Sequence, residues 1–179
     1  MKIIRKVKTI TFIGILLFCF TAVAQTKEDK RIMNDVKKAE KALLKADSGL
    51  QEYFDNAAGY AIFPNVGKGG FIVGAASGNG ALYETGIAVG MADLKKLSVG
   101  FQIGGQAIIE VIFFESEADL AEFKGDEFEF SAQISAIALK SGVAANAKYK
   151  EGVAVFVLPK AGLMADVSVG GQKFSYTAF

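Results

Sequence analysis

The densest group of residues that can do chemistry is the run Phe63-Pro64-Asn65-Val66-Gly67-Lys68-Gly69-Gly70-Phe71, continued by Gly74 and by Ser77-Gly78-Asn79-Gly80. Closely spaced glycines free backbone N–H groups. One ammonium beside them supplies the point charge that a phosphate needs. The same glycines also suit strands that bend or approach closely, where a side chain would clash. Phe71-Ile72-Val73 reads as strand, so no helix dipole is expected to add to the anion site. Glu110 stands alone in the apolar run Ala107–Phe114. A carboxylate in apolar surroundings can act as a general base. With no second carboxylate at a defined spacing, the simpler expectation is that Glu110 faces water or pairs with a lysine. A third candidate is basic. Lys27, Lys30, Arg31, Lys37, Lys38, Lys41 and Lys45 share one segment with an apolar stripe, a pattern that can lie on an anionic membrane. Glu28, Asp29, Asp35, Glu40 and Asp47 on that segment weaken the attraction, and a helix docked on its own domain is the plainer alternative.

Composition excludes more than it suggests. The 179 residues contain no His, no Trp and one Cys, Cys19. Met1–Ala24 has the pattern of a secretory signal: Lys2, Arg5, Lys6 and Lys8, then the apolar Ile10–Phe20, then Ala22-Val23-Ala24. The apolar stretch is about half the ~20 residues of a spanning helix. Phe18 before Cys19 does not suit lipidation, which wants a small residue there. Cleavage after Ala24 removes the cysteine and four of the 20 basic residues but none of the 19 acidic ones, leaving a net charge of −3. No basic excess then points to nucleic acid. Disulfides, Cys/His zinc sites, Ser-His-Asp triads and thiol nucleophiles are excluded, and neither a calcium loop nor a P-loop is present. The expectation is a protein that is not an enzyme and uses neither a metal nor a cofactor.

The elements that must position these residues follow from periodicity. Ile32, Val36, Ala39 and Leu43 fall on one face of a helix over Thr26–Asp47, widened by Met33 and Leu44. Ser48-Gly49 is expected to stop it with a left-handed glycine. A shorter helix follows through Leu50, Tyr53 and Phe54. From Gly59 onward, short branched and aromatic runs broken by glycines read as strands: Tyr60–Phe63, Gly70–Ala76, Ala81–Glu84, Ile87–Leu94, Leu97–Ile103 and Ala107–Phe114. Glu115–Lys124 has a helical look, with Leu120 and Phe123 on its apolar face. Phe128, Phe130, Ala132, Ile134, Ala136 and Ala138 then alternate with polar residues, a period of two that predicts one long strand. Val153–Leu158, Leu163–Val169 and Lys173–Phe179 close the chain. The fold class is α+β: a β-rich, barrel-like or folded-over antiparallel sheet with one or two N-terminal helices. The expected organisation is a signal peptide over 1–24 and one domain over 25–179, helical in 26–56 and β-rich in 59–179.

Ala58-Gly59-Tyr60-Ala61-Ile62-Phe63-Pro64-Asn65-Val66-Gly67-Lys68-Gly69-Gly70-Phe71-Ile72-Val73-Gly74 resembles the signature of the SYLF lipid-binding domain family, A-K-G-[LIY]-A-[IV]-[FL]-P-x-[VI]-x-K-[GA]-G-F. Ser98-Val99-Gly100-Phe101-Gln102-Ile103-Gly104-Gly105-Gln106 is similar to its second block, S-[LIV]-G-x-Q-[LIV]-G-x-Q. Lys150–Phe156, Leu163 and Val169-Gly170-Gly171 resemble its closing strands. The stretch Tyr83–Leu97 lacks the family's Trp-Ser-x-Pro, and Ala58 stands where Lys is common. The resemblance implies a barrel-like domain with N-terminal helices and no catalytic activity. Eukaryotic relatives bind phosphoinositides and membranes, and some bind actin, whereas bacterial members are typically single exported domains. Lys68 is the basic residue on a matching motif position, and Gly67, Gly69, Gly70, Gly104 and Gly105 are the motif glycines. The resulting expectation is a non-enzymatic envelope protein, exported to the periplasm or peripherally attached to the envelope, that binds anionic lipid or a hydrophobic ligand. Lys68, Lys37, Lys38, Lys41 and Lys45 are its candidate anion contacts. A periplasmic structural or protein-interaction module with no lipid role, and a protein partner not specified by the sequence, is the alternative.

Overall fold

In the computed structural model, which describes residues 26–67, 75–97, 107–125, 128–160 and 169–179, the chain enters helix α1 (Lys27–Ala46) through a reciprocal cap. The Asp29 N–H donates to Thr26 Oγ1 at 3.1 Å and the Thr26 N–H donates to Asp29 Oδ2 at 2.7 Å. Two of the donors that a helix start leaves open are satisfied in this way. Ile32, Val36, Ala39 and Leu43 form its buried stripe, as their spacing predicts. The expected left-handed glycine stop is not used. Gly49 has φ −63° and opens the next helix, α2 (Leu50–Asn56). Asp47 ends α1 instead, in extended conformation, its N–H still donating to Leu43 O at 3.0 Å.

The strands are β1 (Gly59–Val66), β2 (Ala75–Glu84), β3 (Ile87–Leu97), β4 (Ile108–Phe114), β5 (Phe128–Glu129), β6 (Ile137–Ala138), β7 (Val153–Pro159) and β8 (Gln172–Ala178), with helix α3 (Glu117–Lys124) between β4 and β5. They make one sheet in the order β5-β8-β3-β2-β1-β4-β7-β6. Every pairing is antiparallel except β6 with β7, which is parallel. The β2–β3 hairpin turns on Thr85 and Gly86, with φ 49° and 78°, the left-handed pair of a tight two-residue turn. Gly80 is needed where it stands, because a Cβ there would lie 2.2 Å from the carbonyl oxygen of Ile62.

The edges of the sheet show that it curls. Its outermost strands, β5 and β6, are joined by only the residues between Glu129 and Ile137. Laid flat, eight strands at about 4.8 Å spacing would be about 34 Å across, whereas eight extended steps of chain reach about 27 Å. The connection also contains a turn, so the edges must approach, and the sheet is a half-barrel. This corrects the predicted long strand. Residues 130–136 leave the sheet and cross its inner face as a strap. Phe130 and Ile134 are buried beneath it while Ala132 and Ala138 are exposed, so the alternation in the sequence is spent on crossing the inner face.

Two cores result, one on each side of the sheet. The outer one lies under α1 and α2 and includes Val36, Leu43, Tyr60, Ile62, Val111, Phe113 and Phe156. The inner one lies under α3 and the strap and includes Phe63, Ile112, Phe114, Phe123, Phe130 and Phe174. β4 serves both, which is why all seven of its residues are buried.

Candidate functional site

The apolar stripe fixes how α1 sits, and so fixes what it shows to solvent. At about 100° per residue, Lys27, Lys30, Lys37, Lys38, Lys41 and Lys45 fall within roughly one 100° arc, directly opposite the buried stripe. All six are exposed. The carboxylates of the helix, Glu28, Asp29, Asp35 and Glu40, fall on its flanks, about 60° or more outside that arc. Two of them are engaged on the flank: Arg31 pairs with Glu28 at 2.5 Å and Asp35 at 3.4 Å, and Lys38 pairs with Asp35 at 3.1 Å. Among the described residues, Lys27, Lys30, Lys37, Lys41 and Lys45 form no ion pair. The acidic residues that were expected to weaken this segment are therefore sorted away from its outer face. The four sequence-predicted helix lysines, Lys37, Lys38, Lys41 and Lys45, stand together.

One flank of α1 forms a cleft of about 380 Å³ with the sheet, bounded by Asp35, Lys38, Pro64, Asn65, Ile109 and Lys160 among others. The Lys160 ammonium donates to Asn65 Oδ1. The cleft thus brings a predicted helix lysine beside two residues of the first sequence block and beside Lys160, which sequence reasoning missed. Lys160 follows directly on β7, and only the register that sets Pro159 against Ile108 carries it there.

Lys68, Gly69, Gly70, Gly104 and Gly105 lie outside the described residues, as do Met1–Ala24. Gly67 is described. It bridges Ser77 through two backbone hydrogen bonds, of 3.1 and 3.0 Å. A Cβ on it would meet Ala107 at 3.5 Å, an ordinary contact, so nothing among the described residues demands glycine there.

Glu110 does not face water, the first of the two expectations for it. It is 0% exposed, and it accepts a hydrogen bond from Gln172 Nε2 at 3.0 Å. The cause is its strand. β4 is covered on both faces, and Glu110 sits between Phe63 of β1 and Val157 of β7 on the inner one. A position enclosed in this way suits a buried polar pair with Gln172.

The tyrosines lie mainly on the other side of the sheet. Tyr60 and Tyr83 stack with centroids 4.9 Å apart and 10° between planes. Burial, with Glu40 nearby, pushes both phenols up. Tyr149 is pushed up to about 12, by burial first and then by Tyr53 and Glu115.

A curled α+β sheet with a lysine-faced helix across its outer side is the architecture of this domain. Comparison with known proteins gives its family. Residues 95–177 match the family Ysc84, described as Las17-binding protein actin regulator. Over 125 residues the chain is 30% identical to Beta cell expansion factor A of Aeromonas veronii, an alignment covering 68% of this chain and 46% of that protein. The chain spans about half the length of this curated relative. It belongs to the Ysc84 (SYLF) family, which is associated with lipid binding. The family match covers the second and third sequence blocks but neither α1 nor the first block.

Proposed function

We propose that this protein binds anionic lipid through the outward face of α1, as a non-enzymatic protein exported to the cell envelope. The observation that carries the reading is the segregation on α1: six exposed lysines in one arc, with the helix carboxylates outside it. Each lysine near an anionic surface is worth about 1 kcal/mol, so a face of six makes an effective electrostatic contact even for a chain of modest net charge. The cleft holding Lys38 and Lys160 offers a place for one headgroup phosphate at the edge of that face. Family membership supports the lipid class. The signal-like Met1–Ala24 supports export, and the lack of His, with Cys19 as the sole cysteine, supports binding without catalysis.

Vesicle flotation of the purified protein tests it. Vesicles containing a third phosphatidylglycerol should carry the protein upward at low salt, and 0.5 M NaCl should release most of it, since salt screens exposed charges. The triple variant Lys37→Glu, Lys41→Glu, Lys45→Glu should stay at the bottom of the gradient. Equal flotation of the triple variant would reject the role of α1. Failure of the unmodified protein to float with either neutral or anionic vesicles would leave the protein-interaction module as the reading.

A further inference from the structure

A second cleft, of about 470 Å³, shares no lining residue with α1 and lies between α2, the start of the β4–α3 turn and the short 3-10 turn Ala144–Asn146. It is lined by Tyr53 and Tyr149, by the carboxylates of Glu52 and Glu115, and by Lys148, together with Asn56 and three alanines of the turn. The two tyrosine rings are 5.5 Å apart and tilted by 50°, forming two non-parallel aromatic walls. Two carboxylates against one ammonium leave the lining acidic. The walls are held by ties from elsewhere in the fold. Tyr53 Oη donates to Ala147 O at 2.8 Å. The almost wholly buried Asp47 carboxylate accepts the Ala144 N–H at 2.7 Å and the Gly49 N–H at 3.0 Å, which fixes the turn against the head of α2. A buried charge therefore holds the turn, and a phenol hydrogen bond ties the Tyr53 ring to the residue that follows it.

Aromatic faces attract cations through their ring quadrupoles, most strongly when the cation is poorly hydrated and partly enclosed. Carboxylates at the rim add charge attraction without demanding a donor from the ligand. We infer that this cleft binds an organic ammonium group, quaternary or tertiary, seated against the Tyr53 and Tyr149 rings with Glu52 and Glu115 balancing its charge. Such a group occurs both in free trimethylammonium compounds and in choline headgroups of lipids. The Tyr149 phenol, raised by its surroundings, stays neutral and keeps its ring available at all physiological pH values.

The chain has no Trp and two of its five tyrosines line the cleft, so a change in tyrosine emission follows binding, with Tyr149→Leu as the control that assigns it to the site. Choline chloride titrated into the full chain should give a saturable change at millimolar concentration. The neutral isostere 3,3-dimethylbutan-1-ol should bind at least tenfold more weakly. Glu115→Gln, an exposed and conservative change, should weaken choline at least fivefold, and Tyr149→Leu at least tenfold, with unfolding midpoints recorded for both. The triple α1 variant should bind choline like the unmodified protein, so this site and the lipid-binding face can fail separately. Competition by short-chain phosphatidylcholine below its micellar concentration would identify the ligand as a headgroup. Its absence would identify a free cation, and either result keeps the ammonium site. Lack of saturation by 100 mM choline would overturn the assignment, as would equal binding of the isostere or unchanged affinity in a folded Glu115→Gln and Tyr149→Leu pair.

Discussion

The two sides of the sheet are built by opposite means. The outer side is covered by α2 and, over most of its length, by α1, whose apolar stripe, polar flanks and lysine face are each laid out along twenty consecutive residues. The inner side is closed by pieces from distant parts of the chain: α3, the strap over residues 130–136, and the ring of Phe174 from the last strand. Phe174 touches the rings of Phe63, Phe123, Phe128 and Phe130, which come from four different segments. A helix laid on a sheet is an addition that can shift as a body. A centre where five rings meet has no such freedom, because moving one ring displaces the rest. The lysine face accordingly sits on the helix-covered side, and the buried Glu110–Gln172 pair sits on the side where the rings around Phe174 meet.

That difference sets the largest expected effect. Phe174→Ala should cost about 4–5 kcal/mol, at the upper end for deletion of a buried ring, because the interlocked neighbours cannot collapse into the space. Leu43→Ala, on the buried stripe of α1, should cost about 3 kcal/mol, since the helix can settle toward the sheet. Both residues are essentially unexposed, so burial alone does not separate them. Urea unfolding followed by far-UV circular dichroism measures the two costs. A larger loss at Leu43 than at Phe174 would break the comparison.

The same contrast decides what could be read from the sequence. The outer side was legible because its information is local. The stripe from Ile32 to Leu43 and β4, apolar but for Glu110, show their pattern within a few turns or a few residues, as on the inner side does the Leu120/Phe123 face of α3. The strap was misread because its alternation matches a strand, and only the need to join the two sheet edges pulls it out of the ladder. The stop of α1 was misread for a related reason. Ser48-Gly49 looks like a local terminator, whereas the end is fixed by Asp47 reaching a backbone N–H 97 residues away. Glu110 finds Gln172 across 62 residues, and Lys160 reaches the cleft only through β-register. In each case the deciding partner is distant in the chain, and no spacing within a window can name it.

Asp47 also makes the junction of α1 and α2 sensitive to acid. Burial by itself would raise its carboxyl, but N–H groups of Ala144, Gly49, Gly142 and Val143 outweigh burial and hold it below its ordinary 3.8. A carboxyl depressed in the folded state stabilises above its unfolded value, and that contribution is lost as pH falls through the folded one. Asp47→Asn should therefore cost about 2 kcal/mol at pH 7, in the range of hydrogen bonds to a charged group. The gap between variant and parent should narrow below pH 4. Unfolding midpoints at pH 7 and pH 3 check this. A constant gap would place the effect in packing and not in charge, and would remove the acid sensitivity that distinguishes the outer side.

The smallest effect tests whether α1 is the looser attachment. Both α1 and α3 begin with a reciprocal cap, from Thr26 with Asp29 and from Ser116 with Asp119. Removing such a cap costs about 1 kcal/mol when the whole helix depends on it. α3 is eight residues long, with Leu120 and Phe123 driven into the inner core, so its first turn cannot open without exposing them. α1 has its first buried residue at Ile32, more than a turn past the cap, so its start can fray while the stripe stays docked. Ser116→Ala should then lower stability by about 1 kcal/mol and Thr26→Ala by well under half of that. Amide exchange should show the Thr26→Ala loss confined to the first turn of α1. Equal costs at the two caps would mean that α1 is held along its whole length, and that its lysine face is as rigid as the inner core.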